Sequence, residues 1–259
     1  MTIDAILRKA VKAAALPLGA PARRRVGDVV ILLYHRVGVG GREIDVSVDA
    51  LDRQLAFLRE EDDVLSLDQV ISNGARGGVV LTFDDGFSDF HEQVLPLLIR
   101  HRLPATLYLA TGLVEEGPEN GSAITWAQLR EAVATGLVTV GSHTHGHVDL
   151  SGADEALAEE EMRRSKELIE DRLGLACRHF AYPWAVGSPA ADRLSRRLFD
   201  SAALGAWQTN RAGRIDPHRL GRIPVLRSDG DLFFRAKVRG GLDAEGLAYR
   251  LLRRGPWRP

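Results

Sequence analysis

Three histidines, His143, His145 and His147, stand within five positions of the stretch GSHTHGHVDL, in a chain that holds eight in all. They follow an apolar run, VTVGS at 138–142. Imidazoles gathered there suit metal ligation or proton transfer. His143 and His147 are four apart, so a single helical turn or a tight loop aims both at one point, whereas His145 points elsewhere in a turn of helix. A second polar group, Asp84-Asp85-Gly86, follows another apolar run, VVLTF at 79–83. Adjacent carboxylates at a strand end face different directions, so one can coordinate a cation while the other faces a reaction. Two imidazoles and one carboxylate make a three-ligand zinc-type set with a position open for water. Ser142 and Thr144 stand where ligating rings need hydrogen-bond partners. Either motif alone has a bland reading: Asp is at home in a turn before Gly, and His-x-x-x-His arises by chance. Their shared position makes a site of them.

That position follows from the elements. Short β-type runs recur: VVILLY (29–34), VVLTF (79–83), ATLYLA (105–110), VTVGS (138–142), HFAYP (179–183), SAALGA (201–206) and RIPVL (222–226). They are mostly apolar rather than alternating, which fits strands buried on both faces. Helical patterns separate them. Asp49 to Glu61 places Leu51, Leu55 and Leu58 on one face; Ser88 to His101 has Ser88 as the expected N-cap; Thr125 to Thr135 is short. Ala153 to Leu173 is acidic early and stops at Gly174, and Ser188 to Phe199 opens on Ser-Pro. Strand–helix–strand repetition predicts a parallel α/β sheet, closed as a barrel or left open. Such folds carry their chemistry at the C-terminal ends of strands. His35, Asp84-Asp85, His143 to His147 and Tyr182-Pro183-Trp184 all fall at those ends.

At 259 residues and 45% apolar content the chain can bury a sizeable core. Lys plus Arg numbers 34 against 35 for Asp plus Glu, a balance that removes the electrostatic case for nucleic acid. The lone Cys177 cannot form an internal disulfide, which favours a reduced compartment. Residues 1–25 read as an amphipathic helix followed by a basic linker, Arg23-Arg24-Arg25. Lys9 and Lys12 interrupt its apolar face, so no signal-peptide core is evident and a cytoplasmic location is expected. The same pattern permits peripheral contact with an anionic membrane surface. One catalytic domain is expected over 26–259, with a tail irregular from Arg227 and helical around Leu242 to Arg253.

Three motifs, TFDDGF (82–87), SHTHGH (142–147) and FAYPW (180–184), resemble those of the polysaccharide deacetylases, the carbohydrate esterase family 4 or NodB-homology group. LLYHRV (32–37), LPATLYLATG (103–112) and LGRIPV (220–225) resemble that family's framework, so the likeness spans most of 29–226. It implies a distorted (β/α)7 barrel holding one divalent metal ion, usually zinc, on Asp85, His143 and His147, with Asp84 as catalytic base and His145 off the ligand set. It also implies an N-acetylated sugar as substrate. Ala181 stands where many members have an arginine that braces the catalytic Asp; Arg178 lies nearby in sequence. The usual Leu-x-x-His motif after Ile223-Pro224-Val225 is absent, and His35 matches the Tyr-His histidine of the poly-N-acetylglucosamine deacetylase branch, where it would act as general acid. Tyr182, Trp184 and Trp207 are the candidates for sugar stacking or an oxyanion contact, and Thr144 and Arg178 for support of the ligands. Two other readings are an amidohydrolase acting on a small or lipid-linked amide and a catalytically silent carbohydrate-binding module.

Overall fold

The computed structural model of the protein describes residues 24–72, 77–116, 122–205 and 207–241. The expected N-terminal helix and the expected helix around 242–253 lie outside them, apart from the basic Arg24 and Arg25. Among the described residues no helix is long and apolar enough to cross a membrane.

Eight strands form one sheet: β1 (Val29–Tyr34), β4 (Gly78–Phe83), β5 (Ala105–Leu109), β6 (Val138–Ser142), β7 (His179–Ala181), β8 (Ser201–Leu204), β9 (Leu220–Gly221) and β10 (Ile223–Pro224). The order is β10-β1-β4-β5-β6-β7-β8-β9, with every pair parallel. A small ribbon, β2 (Arg36–Val37) beside β3 (Asp45–Val46), stands on the loop after β1. The run RIPVL, expected as a strand over 222–226, shortens to Ile223–Pro224, and a second short strand, Leu220–Gly221, precedes it with Arg222 between the two. Leu220–Gly221 pairs with β8 and Ile223–Pro224 with β1, so this segment carries the sheet round to its start and nearly closes the barrel. Arg222 sits in the seam. Its N–H donates to the Leu204 carbonyl at 3.0 Å and its carbonyl accepts from Trp207 N–H at 3.0 Å.

The pleat sorts side chains onto two faces. Val29, Ile31, Val80, Tyr108, Ala181, Ala203 and Leu220 fill the barrel interior. Val30, Leu32, Leu81, Leu107, Val140, Phe180 and Ala202 face the surrounding helices. Those helices are α1 (Val48–Glu61), α2 (Leu67–Ser72), α3 (Leu95–His101), α4 (Thr111–Glu116), α5 (Trp126–Ala134), α6 (Glu155–Leu173) and α7 (Pro189–Leu198), followed by α8 (Asp231–Val238). Ser47, Asp154 and Ser188 cap α1, α6 and α7, and Thr125 with Gln128 forms a capping box on α5. Each such cap is worth about 1 kcal/mol. Two expectations need correction. Ser88 is not an N-cap: the turn before α3 is π-helical (Phe90–Val94) and starts from Asp89, whose carboxylate is taken by the Val37 N–H. The segment after Arg227 is irregular only as far as Gly230; it then holds α8, anchored by a buried pair between Lys237 and Asp229 at 2.6 Å.

Candidate active site

Asp84 extends β4 by one residue, its N–H donating to the Tyr34 carbonyl at 3.0 Å. Alternation after Val80 and Thr82 points its carboxylate inward. There it meets Arg222, which follows Leu220 on the same inner face. The guanidinium spans the carboxylate in two bonds of 2.6 and 2.8 Å, and the two residues are 1% and 3% exposed. Tyr108 lies under the guanidinium, 5.3 Å from carbon to ring centre. Asp85 then leaves the strand with φ 76°, a left-handed conformation that swings its carboxylate away from its neighbour's. Its carbonyl is tied to the end of β5 by the Ala110 N–H at 3.2 Å.

His143 extends β6 in the same manner, donating to the Leu109 carbonyl at 2.9 Å. Its Nδ1 lies 2.8 Å from the Ala181 carbonyl. A carbonyl only accepts, so Nδ1 carries the proton and the Nε2 lone pair faces the carboxylates. The chain then turns back. Thr144 and His147 are both left-handed (φ 64° and 54°), and the Thr144 hydroxyl accepts from Val148 N–H at 3.3 Å. His145 points away, its Nδ1 2.9 Å from the Thr111 hydroxyl, so it fastens the turn to α4. The Gly146 N–H donates to Glu161 on α6 at 2.6 Å. The turn brings His147 Nε2 to 3.3 Å from Asp85 Oδ1, and His143 Nε2 stands 3.6 Å from the same atom. One ligand atom each from Asp85, His143 and His147 thus lies within 4.8 Å of the others.

These residues fit a divalent cation. Asp85 Oδ1 is buried without a hydrogen bond of sound geometry, which is costly for a carboxylate unless something else satisfies it. Two ligand atoms 2.0–2.1 Å from one tetrahedral zinc stand about 3.3 Å apart, close to the separations seen. The protonation states of His143 and Asp85 agree. Burial pushes His143 down to about 4, more than the nearby Asp84 charge raises it, so the ring is neutral at pH 7. Burial by itself would lift the Asp85 carboxyl, but the His147 imidazole and the charges of His35 and His143 hold it well below the usual range. Asp84 is likewise lowered, burial being outweighed by Arg222, His143 and His35. Burial would lower His147, yet Asp85 and Asp84 raise it.

His35 follows β1 directly and is half-buried, close enough to act electrostatically on both aspartates. Trp184 is held in a left-handed turn with Ala185 (φ 56° and 64°), its ring 5.2 Å from that of His147. Three other candidates lie elsewhere. Tyr182 comes one residue after inward-facing Ala181, so the pleat turns it outward. Its hydroxyl donates to Ser195 at 3.0 Å, and its N–H is taken by the Ala203 carbonyl. Trp207 is 4% exposed, packed on Leu226 and beneath the Lys237 ammonium, so it offers no open stacking face. Arg178 sits at the entrance to β7, the opposite end of the barrel, paired with Asp200 at 2.6 Å and Asp68 at 2.8 Å. The residue that braces Asp84 is Arg222, which the motif reading passed over as framework. The available signal was a single charge among apolar residues in LGRIPV.

The family model for polysaccharide deacetylase matches residues 72–198, the stretch that carries Asp84, Asp85, His143 and His147. The chain carries a polysaccharide deacetylase domain. Among relatives, the poly-beta-1,6-N-acetyl-D-glucosamine N-deacetylase of Staphylococcus aureus (strain MRSA252) is 26% identical over 160 residues, covering 56% of this chain and 55% of that protein. The chain thus spans about half the length of the curated relatives it matches. Among solved structures, the Streptococcus pyogenes deacetylase PplD in complex with acetate matches with a TM-score of 0.74 at 25% identity, covering 83% of this chain and 99% of that one. IcaB from Ammonifex degensii matches at 0.71 and 26%, covering 84% and 98%. The nearly closed parallel barrel is the one these deacetylases share.

Proposed function

We propose that the protein is a metal-dependent N-deacetylase that hydrolyses the acetamide of N-acetylated amino sugars, of the poly-N-acetylglucosamine type, to free amine and acetate. The observation that carries this reading is the convergence of Asp85, His143 and His147 on one point, with an ionised Asp84 beside it. A divalent cation held by those three, zinc by the character of the donor set, supplies Lewis acidity to the amide carbonyl and to water. The rest falls to the chain's own groups. Asp84, fixed by Arg222, accepts the proton of the attacking water. His35, on the neighbouring strand end, delivers a proton to the departing amine, which is a poor leaving group without it. Trp184 walls the side nearest His147 and excludes water from the amide.

Purified protein loaded with zinc should release acetate from β-1,6-linked N-acetylglucosamine oligomers and lose that activity on chelation. His143→Ala should bring metal content, read by elemental analysis, well below one equivalent. Asp84→Asn should retain metal while turnover falls by about 10²–10⁴, the usual contribution of a general base. Full metal in the His143 variant, or full turnover in the Asp84 variant, would end this reading.

A further inference from the structure

The ladder between β1 and β4 ends at Tyr34 and Phe83. His35, the acid of the proposed reaction, and Asp85 both lie beyond it, so the strands do not hold one against the other. Two side chains that the reaction leaves unused span the gap. Asp89, 5% exposed, accepts the Val37 N–H on its carboxylate. Arg36, 9% exposed, lays its guanidinium over the Phe87 ring, 4.4 Å from carbon to ring centre. Arg36 and Val37 directly follow His35, and Phe87 and Asp89 come just after Asp84-Asp85-Gly86. The two contacts therefore clasp the loop that carries the acid to the turn that carries the base.

Each half of the clasp is itself anchored. On the side of the base, Phe87 bridges to Ala123, the Ser88 N–H donates to the Ser122 carbonyl at 2.8 Å, and the Ile124 N–H donates to the Gly86 carbonyl at 3.0 Å. On the side of the acid, Arg36 and Val37 form β2 against β3, and the Gly38 N–H donates to the Val46 carbonyl at 2.9 Å. Burial raises the Asp89 carboxyl, against the pull of the Val37 N–H and the Arg36 charge, so Arg36 supports both contacts. A carboxylate on a backbone N–H and a guanidinium on a ring face are both strengthened by exclusion of water. The turn that starts from Asp89 is π-helical, a form found mostly as short interruptions near functional sites.

We infer that Asp89 and Arg36 are positioning residues that hold His35 where it can protonate the departing amine while Asp84 serves the water. The inference rests on the deacetylase reading above, in which His35 is the acid. Neither residue touches the reacting atoms; each acts through the backbone next to His35. A displacement of about 1 Å at a reacting group is enough to cost about 10² in rate.

Leaving-group chemistry tests it. An N-acetylglucosamine oligomer needs the acid; 4-nitrophenyl acetate does not, because its phenolate departs unprotonated. In zinc-loaded protein, Asp89→Ala should lower kcat on the oligomer about 100-fold with KM and zinc content kept, and lower the ratio of amide to ester turnover by a similar factor. Asp89→Asn still offers Val37 an acceptor and should restore the ratio. Arg36→Met should move the ratio in the same direction as Asp89→Ala, and it carries the test if that variant does not fold. In His35→Ala protein the Asp89 change should add no further loss on the oligomer. Hydrogen exchange at the Val37 amide reads the clasp without turnover: slow in wild type and Asp89→Asn, fast in Asp89→Ala. Equal losses on the two substrates, no rescue by Asn, or a Val37 amide indifferent to Asp89→Ala overturns the positioning role and leaves the deacetylase intact. A wild type that releases acetate from the ester and from no oligomer removes the deacetylase reading, and the task of His35 with it.

Discussion

The two ends of the barrel are built from different backbone. At the end where strands begin, the left-handed turns are made by glycine: Gly27 before β1, Gly77 before β4, Gly136 before β6 and Gly174 before β7. At the end where strands finish, Gly38 and Gly86 are joined by six side-chain-bearing residues in that conformation: Asp85, Thr144, His147, Trp184, Ala185 and Trp207. Among the described residues Arg102, the C-cap of α3, is the one further non-glycine case. A left-handed residue with a Cβ costs about 1–2 kcal/mol. The starting end, Arg102 before β5 apart, therefore meets its turns at low cost, and the finishing end carries strain where a side chain must be aimed. Charge divides the same way. Arg222 and Asp84 are paired in the interior of the finishing end, whereas Arg178, Asp68 and Asp200 pair at the wetted surface of the starting end.

That contrast is most easily broken at the two arginines. Arg222→Met leaves a buried carboxylate without its partner, so unfolding in urea should show a loss of about 3–5 kcal/mol. Turnover should fall as well, since Asp84 loses its orientation. Arg178→Met removes exposed pairs and should cost under about 1 kcal/mol with kinetics unchanged. Equal losses for the two variants would mean that burial does not distinguish the ends.

Acid sharpens the comparison through two neutral histidines, one at each end. Burial puts His143 at about 4 and holds His179 below its ordinary value, in both cases against the pull of nearby carboxylates. An unfolded histidine titrates near 6.5. As the pH falls from about 6.5 towards 4, the unfolded chain takes up protons that the folded chain refuses, so stability drops; above about pH 7 these two groups contribute no slope. Chelated protein should therefore have a lower urea midpoint at pH 5 than at pH 7. His143→Asn and His179→Asn should each flatten the decline. A decline unchanged in both variants would assign it to other groups.

Much of this division was legible from residue types. Apolar runs such as VVILLY and VTVGS declared strands buried on both faces, and the polar residues that follow them marked the reactive rim. The brace was not. Arg222 meets Asp84 across 138 positions, and no local pattern encodes a contact of that range. Period-two alternation does place it on the inner face with Leu220, but the run was read as a single strand beginning at Arg222, when Arg222 is where the strand divides. Tyr182 failed for a related reason: a motif gives spacing, while the pleat decides which of two adjacent residues looks inward. Trp207 follows a strand end and Arg178 lies near a motif, but burial and strand polarity put them elsewhere.

The smallest effect discriminates most finely. Arg102→Gly and Ala185→Gly each relieve one left-handed residue, and each should raise stability by about 1 kcal/mol. Their kinetics should differ. Arg102 lies between α3 and β5, far from the chemistry, and its variant should match wild type. Ala185 holds the turn that sets Trp184 against His147, so a freer glycine there should lower kcat/KM several-fold while the midpoint rises. The turn is locked from the other side by Gly205, where an added Cβ would come within 2.3 Å of the Ala185 Cβ. Gly205→Ala should be harmful alone and tolerated in the Ala185→Gly background, because the two positions share space for a single methyl group. If the double variant is no better than Gly205→Ala, the contact is not what fixes the turn, and the strain at this end of the barrel has another use.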